Sequence, residues 1–159
     1  MCPREHQHQW KPNVTVAAVI EQGGRFLLVE EDTRSGLRYN QPAGHLEDCE
    51  SLLDAVIRET LEESACDFTP QALLGIYQYA HPDDGVTYLR FAFTGTVSAP
   101  RPGYRLDAGI RRALWMTPAE IRACTDRHRS PLLQRCVDDH LAGLRYPLQA
   151  IHHVDRTPA

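Results

Sequence analysis

An α/β fold, a sheet flanked by helices, is predicted by three observations. β-branched and apolar runs open the chain, one long stretch of helical period follows, and further strands return before a last helical stretch. Elements in that order build layers around one core. The 159 residues suffice to bury it and bound the chain to one domain. No repeat, low-complexity tract or linker divides the chain, so residues 1–9 read as a mobile polar tail and residues 10–159 as a single domain.

Each element has a local reason. Trp10 and Pro12 begin the ordered chain, and residues 14–20, Val-Thr-Val-Ala-Ala-Val-Ile, form a buried strand. Glu21-Gln22-Gly23-Gly24 turns into residues 25–30, so the two runs read as a hairpin. Residues 33–37 read as a loop, and Pro42 limits regular pairing ahead of Gly44. The main helix starts near Asp48 to Ser51, where acids suit its positive end. Leu52, Leu53, Val56, Ile57, Thr60 and Leu61 recur at helical spacing as its buried face. Residues 67–70 turn the chain. Residues 73–79 and 87–97 form long strands joined by the polar loop 81–85, and residues 110–116 form another strand. Thr117-Pro118-Ala119-Glu120 is a capping box with proline at the first helical position, opening a short helix. A further helix runs from about Ser130, with Leu132, Leu133, Cys136, Val137, His140 and Leu141 as a core stripe.

Composition excludes several roles. A net charge of −4 gives no bulk attraction to nucleic acid or membrane. No apolar run approaches the roughly 20 residues of a membrane span, and the polar start lacks a signal-peptide core. Cys2, Cys49, Cys66, Cys124 and Cys136 form no CxxC pair, an odd and scattered set that fits a reduced, cytoplasmic protein. His6 and His8 read as part of the tail, and His152 and His153 lack a metal partner. The expected partner is a small molecule, and the chain a monomer or homodimer.

The chemistry centres on Arg58, Glu59, Glu62 and Glu63. Spacings of three and four place these carboxylates on one helical stripe, where each like pair costs a few tenths of a kcal/mol. A hard divalent cation offsets that repulsion and serves phosphate substrates; alternatively the stripe is a solvated acidic face. The wider pattern shifts the balance toward the cation. Gly44, five residues, Glu50, seven residues, then Arg58-Glu59-Thr60-Leu61-Glu62-Glu63 resembles the Nudix box, G-x5-E-x7-R-E-U-x-E-E-x-G-U, with U a bulky apolar residue. Thr60, Ala65 and Cys66 depart from it. A glycine at position 65 takes positive φ freely; Ala65 does so at a cost of about 1 kcal/mol, or the helix ends differently. Neither outcome touches the acids.

The resemblance to the Nudix family implies an α/β/α sandwich with a mixed sheet and the box as a loop–helix–loop at its edge. The segments KPNVTVA, NQPAGHLE, YLRF, RSPL and RYPL resemble a phosphatase branch acting on nucleoside tri- and diphosphates, thiamine pyrophosphate and hydroxymethylpyrimidine pyrophosphate. The implied activity is Mg²⁺-dependent hydrolysis of a phosphoanhydride bond, with Mn²⁺ as a substitute ion; the other reading is a module that binds a nucleotide or metabolite without cleaving it. Glu59, Glu62 and Glu63 are the expected metal ligands, and the family pattern adds the backbone oxygen of Ala43. Glu59 is also the candidate to position or deprotonate the attacking water. Arg58 either binds phosphate or, as its box position implies, pairs with Glu50 (or Asp54) and orients Glu59. Gly44 and Glu50 are the structural positions of the box. Glu47 either approaches the metal or is a helix-start acid. Asn40, Gln41 and Arg90 are candidate substrate contacts, with Arg90 facing either pocket or solvent. Asp83, Asp84 and Asp107 are candidate supplementary ligands; Tyr77, Tyr79 and Tyr88 either stack on a heterocycle or pack; His45 either reaches phosphate or is a loop residue.

Overall fold

The computed structural model describes residues 10–155; the expected tail with His6 and His8 lies outside them. Among the described residues the order is β1 (Asn13–Val19), β2 (Glu21–Gln22), β3 (Arg25–Thr33), β4 (Gly36–Asn40), β5 (Ala43–His45), α1 (Leu52–Ser64), β6 (Phe68–Ala80), β7 (Thr87–Val97), β8 (Ile110–Met116), α2 (Pro118–Arg122) and α3 (Leu132–Leu141).

The strands form two sheets. One runs β5-β1-β7-β6 and is mixed, because β1 lies parallel to β7 while its other pairings are antiparallel. In the other, β3 is flanked by β8 on one side and by β2 and β4 on the opposite side. Helix α1 packs on β1, β5 and β6, and α3 on β6 and β1.

The core divides by residue parity along β1. Val16, Ala18 and Ile20 join Ala55 and Val56 of α1 in one apolar cluster. Ala17 and Val19 join Leu133, Cys136 and Val137 of α3 in the other. A strand covered on both faces requires an unbroken apolar run, which is why residues 16–20 do not alternate. Layers of helix, sheet and helix follow from that single stretch.

Several expectations need correction. β1 does not form a hairpin with β3; the turn at Gly23 and Gly24 closes only β2 onto β3, while β1 pairs with β7 and β5. Both glycines have positive φ, as the tight turn requires. Residues 33–37 are not an open loop but the tip of the β3–β4 hairpin, where Thr33 Oγ1 donates to the Gly36 carbonyl at 2.7 Å. Residues 67–70 mostly belong to β6. Pro70 is tolerated there because β6 is an edge strand whose register shifts between Pro70 and Ala72.

The helices differ in detail. Ser51 caps α1 by accepting from the Asp54 N–H at 3.0 Å, so the helix starts after the early acids. Its inner face is rotated from the expected stripe: Ile57 is 37% exposed, whereas Glu59 and Glu63 are buried with Ala55, Val56 and Thr60. Ala65 takes the left-handed conformation at φ 62°, its N–H donating to the Leu61 carbonyl at 2.8 Å. The capping box of α2 is present as read. In α3, Leu141 is exposed and not part of the core stripe.

Candidate active site

The site grows from two pieces of backbone. β4 ends at Asn40, Gln41 and Pro42 bridge to β5, and the Pro42 carbonyl is held by the Ala18 N–H at 2.9 Å. β5 then pairs with β1, fixing Ala43 and Gly44 against the inner face of α1. The Ala43 N–H donates to Glu63 Oε2 at 2.9 Å. Gly44 admits the next contact: a Cβ built there would fall inside the Glu59 carboxylate. Glycine is required at 44 by close approach, not by turn geometry.

Arg58 organises the acids. Its Nε and Nη2 donate to the two oxygens of Glu50 at 2.7 and 3.0 Å, a bidentate fork. Nη1 donates to Glu59 Oε1 at 2.8 Å and Glu62 Oε2 at 3.0 Å, and Nη2 also to the His45 carbonyl at 3.1 Å. These contacts match the donor capacity of a guanidinium, so none is left for a phosphate. Asp54, the competing partner, accepts instead from the Ser51 hydroxyl at 2.6 Å. Glu47 is exposed, its carboxylate 4.0 Å from Arg58, and its N–H donates to Glu50 Oε2 at 3.1 Å.

Electrostatics separate the glutamates. The Arg58 fork holds Glu50 below the usual carboxylate range. Burial pushes Glu63 up to about 8, and the Ala43 N–H opposes this while Glu59, Glu31 and Asp107 add to it. Burial also raises Glu59; Arg58 pulls it down, but the charges of Glu62 and Asp107 reinforce the rise. Asp107 is thus near the acids, and its N–H donates to the Glu62 carbonyl at 3.0 Å.

Among the described residues no three His, Cys, Asp or Glu side chains are gathered as a metal-binding group. Glu59 and Glu62 share Arg58, and Glu63 turns to Ala43. The donor set nevertheless suits a hard divalent ion, being carboxylates with a nearby backbone carbonyl and no thiol or imidazole. The missing side chain at Gly44 supplies the room that the Glu59 carboxylate itself occupies.

A cavity of about 460 Å³ opens from these residues. Ala43, Gly44, Glu47, Glu59 and Glu63 line one part of it; Asn40, His45, Tyr79, Asp84 and Tyr88 line others. Gln41 and Arg90 do not line it. Gln41 is 1% exposed and donates to the Leu133 carbonyl at 3.0 Å. Arg90, 7% exposed, faces neither cavity nor solvent and reaches Gln41 Oε1 at 3.3 Å and Asn40 Oδ1 at 3.5 Å. Tyr77 points to α3, donating to Asp139 at 2.9 Å. Asp83 is exposed, and His153 pairs with Asp155 at 3.0 Å.

Thr15, Glu31 and His81 also line the cavity and were not read from the sequence as site residues; Arg129, Ser130 and Leu132 line it too, marked in the sequence only within the RSPL segment and as the start and core stripe of a helix. For Glu31 a signal existed: an acidic triplet, Glu30-Glu31-Asp32, ends the apolar run of β3. Arg129 to Leu132 carried a signal only as the RSPL segment of the family resemblance, because only the fold brings the start of α3 beside β4.

Comparison with known proteins decides the family. The NUDIX domain model matches residues 10–136. The chain belongs to the Nudix family. It is 37% identical over 142 residues to Phosphatase NudJ of Escherichia coli strain K12, covering 89% of this chain and 92% of that protein. A relative of the same name in Shigella flexneri matches equally. The structure of a Nudix hydrolase from Nitrosomonas europaea superposes with a TM-score of 0.90 at 50% identity, covering 92% of this chain and all of that one. A MutT Nudix hydrolase from Burkholderia pseudomallei, 17% identical with a TM-score of 0.69, shares the fold. The Nudix fold of this chain is therefore α/β with a mixed sheet and flanking helices, and the protein is a Nudix hydrolase acting on pyrophosphate bonds.

Proposed function

We propose that this Nudix enzyme is a Mg²⁺-dependent phosphatase that cleaves a phosphoanhydride bond in a nucleoside di- or triphosphate or a thiamine-type pyrophosphate, in the cytoplasm and as a monomer or homodimer. The observation that carries the reading is the convergence of Glu59, Glu63 and the Ala43–Gly44 backbone on one cavity, with Glu62 tied to them through Arg58. Glu59, Glu62, Glu63 and the Ala43 carbonyl would hold the ion. A bound Mg²⁺ or Mn²⁺ supplies charge neutralisation of phosphate oxygens and acidification of water.

The chain's own residues do the rest. Glu59 orients the attacking water and takes its proton, in a position that the Gly44 gap admits and Arg58 fixes. Arg58 is a positioning residue, since Glu50 locks its guanidinium plane. Asn40 contacts substrate from the cavity wall, while Gln41 and Arg90 support it from behind. The NudJ relatives, named as phosphatases, support a phosphate product.

The test is release of phosphate from nucleotides and thiamine pyrophosphate, with and without Mg²⁺. Glu59→Gln and Glu62→Gln should each lower turnover by orders of magnitude with unchanged circular dichroism. Full turnover in both variants, or in the presence of a chelator, sinks the assignment.

A further inference from the structure

The cavity holds an acid outside the ligand set proposed above. Glu31 lies on β3 where the pairing with β8 shifts register between Glu30 and Glu31. A register shift of this kind re-aims side chains beside active sites. Its neighbour Glu30 is fully engaged, accepting from Arg112 at 2.9 Å and Arg127 at 2.8 Å. Glu31 is not. Its Oε1 is buried and accepts no hydrogen bond among the described residues, and Arg129 Nε stands off at 3.6 Å. An ion pair of that length steadies the charge but is too long for a hydrogen bond, so the carboxylate keeps acceptor capacity beside the cavity.

The rest of the cavity indicates what supplies the donor. Tyr79 and Tyr88 face each other in register across β6 and β7 and both line the cavity. His81 meets Tyr79 edge-on with ring centroids 6.0 Å apart, and His45 lies 6.5 Å from Tyr88. Cross-strand aromatic rings offer a flat apolar wall to another ring. An ionised carboxylate beside that wall only accepts, so it takes an N–H and repels a carbonyl edge.

Resting on the hydrolase reading above, we propose that Glu31 is a specificity-determining residue: its carboxylate, which lines the cavity and is held by Arg129 only at ion-pair distance, accepts a hydrogen bond from an amino or ring N–H group of a heteroaromatic substrate whose phosphoanhydride end lies at α1. A site that hydrogen-bonds a substrate group discriminates strongly against the analogue lacking it, because its own acceptor is then left unpaired.

The test separates recognition from hydrolysis by using monophosphates, which have no phosphoanhydride to cleave. Binding of AMP is compared with purine riboside monophosphate, and of CMP with 2-pyrimidinone riboside monophosphate, each pair differing by one amino group. The wild-type protein should prefer the aminated member of at least one pair by about 10-fold or more. Glu31→Ala should erase that preference, and Glu31→Gln should reduce it. Because the Glu31 charge also acts on Glu63, hydrolysis of tripolyphosphate, which has no ring, is measured alongside and should move far less than the binding preference in both variants, and their melting temperatures should equal or exceed wild type. Absence of any preference in the wild type, its persistence in Glu31→Ala, a parallel loss of tripolyphosphate turnover, or lower melting temperatures in both variants would each overturn the proposal. Selective binding without phosphate release from any triphosphate would instead refute the hydrolase reading and leave the role of Glu31 standing.

Discussion

Two arginines of this molecule show opposite solutions to holding a guanidinium near an active site. Arg58 bonds Glu50, Glu59, Glu62 and the His45 carbonyl, at distances from 2.7 to 3.1 Å. Arg90 is more deeply buried, yet it reaches Gln41 and Asn40 only at 3.3 and 3.5 Å and leaves Nε without a partner among the described residues. A saturated fork fixes one geometry, as a reaction centre requires. A loosely held cation lets the adjoining loop adjust, which suits a substrate wall better than a catalytic one.

The largest effect comes from attacking the saturated side without touching its charges. Gly44→Ala places a Cβ into the Glu59 carboxylate, and displacement of that acid by about 1 Å should lower kcat about 100-fold, measured by phosphate release. Next is Arg58→Lys, which keeps the charge and loses the fork to Glu50. Loss of such a positioning contact should lower metal affinity or kcat about 10- to 100-fold, read by Mg²⁺ titration of turnover. Arg90→Met should behave differently, raising KM a few-fold through Asn40 while moving the melting temperature by less than about 4 °C. Equal losses from Arg58→Lys and Arg90→Met would erase the contrast.

The smallest effect concerns pH. Burial lifts Glu63 to about 8 in the folded chain, from an ordinary 4.5. The folded state then keeps a proton that the unfolded chain releases, so this contribution is complete below about 4.5 and is lost as pH rises through 8. Without metal, Glu63→Gln should leave stability unaltered in acid and raise the melting temperature relative to wild type by a few degrees at pH 9. Scanning calorimetry in a chelating buffer checks the sign.

Much of this architecture was legible because local chemistry and global fold agree. The unbroken apolar run at residues 16–20 could only be a strand covered on both faces, and Thr117 to Glu120 could only start a helix. The Arg58–Glu50 fork followed from the family resemblance, since helical spacing alone favoured Asp54 and Glu50 lies just ahead of α1. What stayed hidden is non-local. Nothing in residues 14–30 says that β1 prefers β7 over β3, because strand pairing depends on which partner can be covered by α1 and α3. Ile57 and Glu59 exchange their expected exposure for a related reason: hydropathy marks one face of a helix, and the cavity recruits another. Glu31 and Arg129 meet only once β3 and the approach to α3 are assembled.

The parallel register of β1 with β7, from Asn13 against Tyr88 to Val19 against Thr94, also sets an order of events during synthesis. The apolar strand leaves the ribosome some 70 residues before its parallel partner exists. Until then it has neither a ladder neighbour on that edge nor the later helix to cover it, and long-range parallel pairing is slow to form. The newborn chain is therefore most exposed to aggregation in the interval between those two segments, and a chaperone would be expected to hold it there.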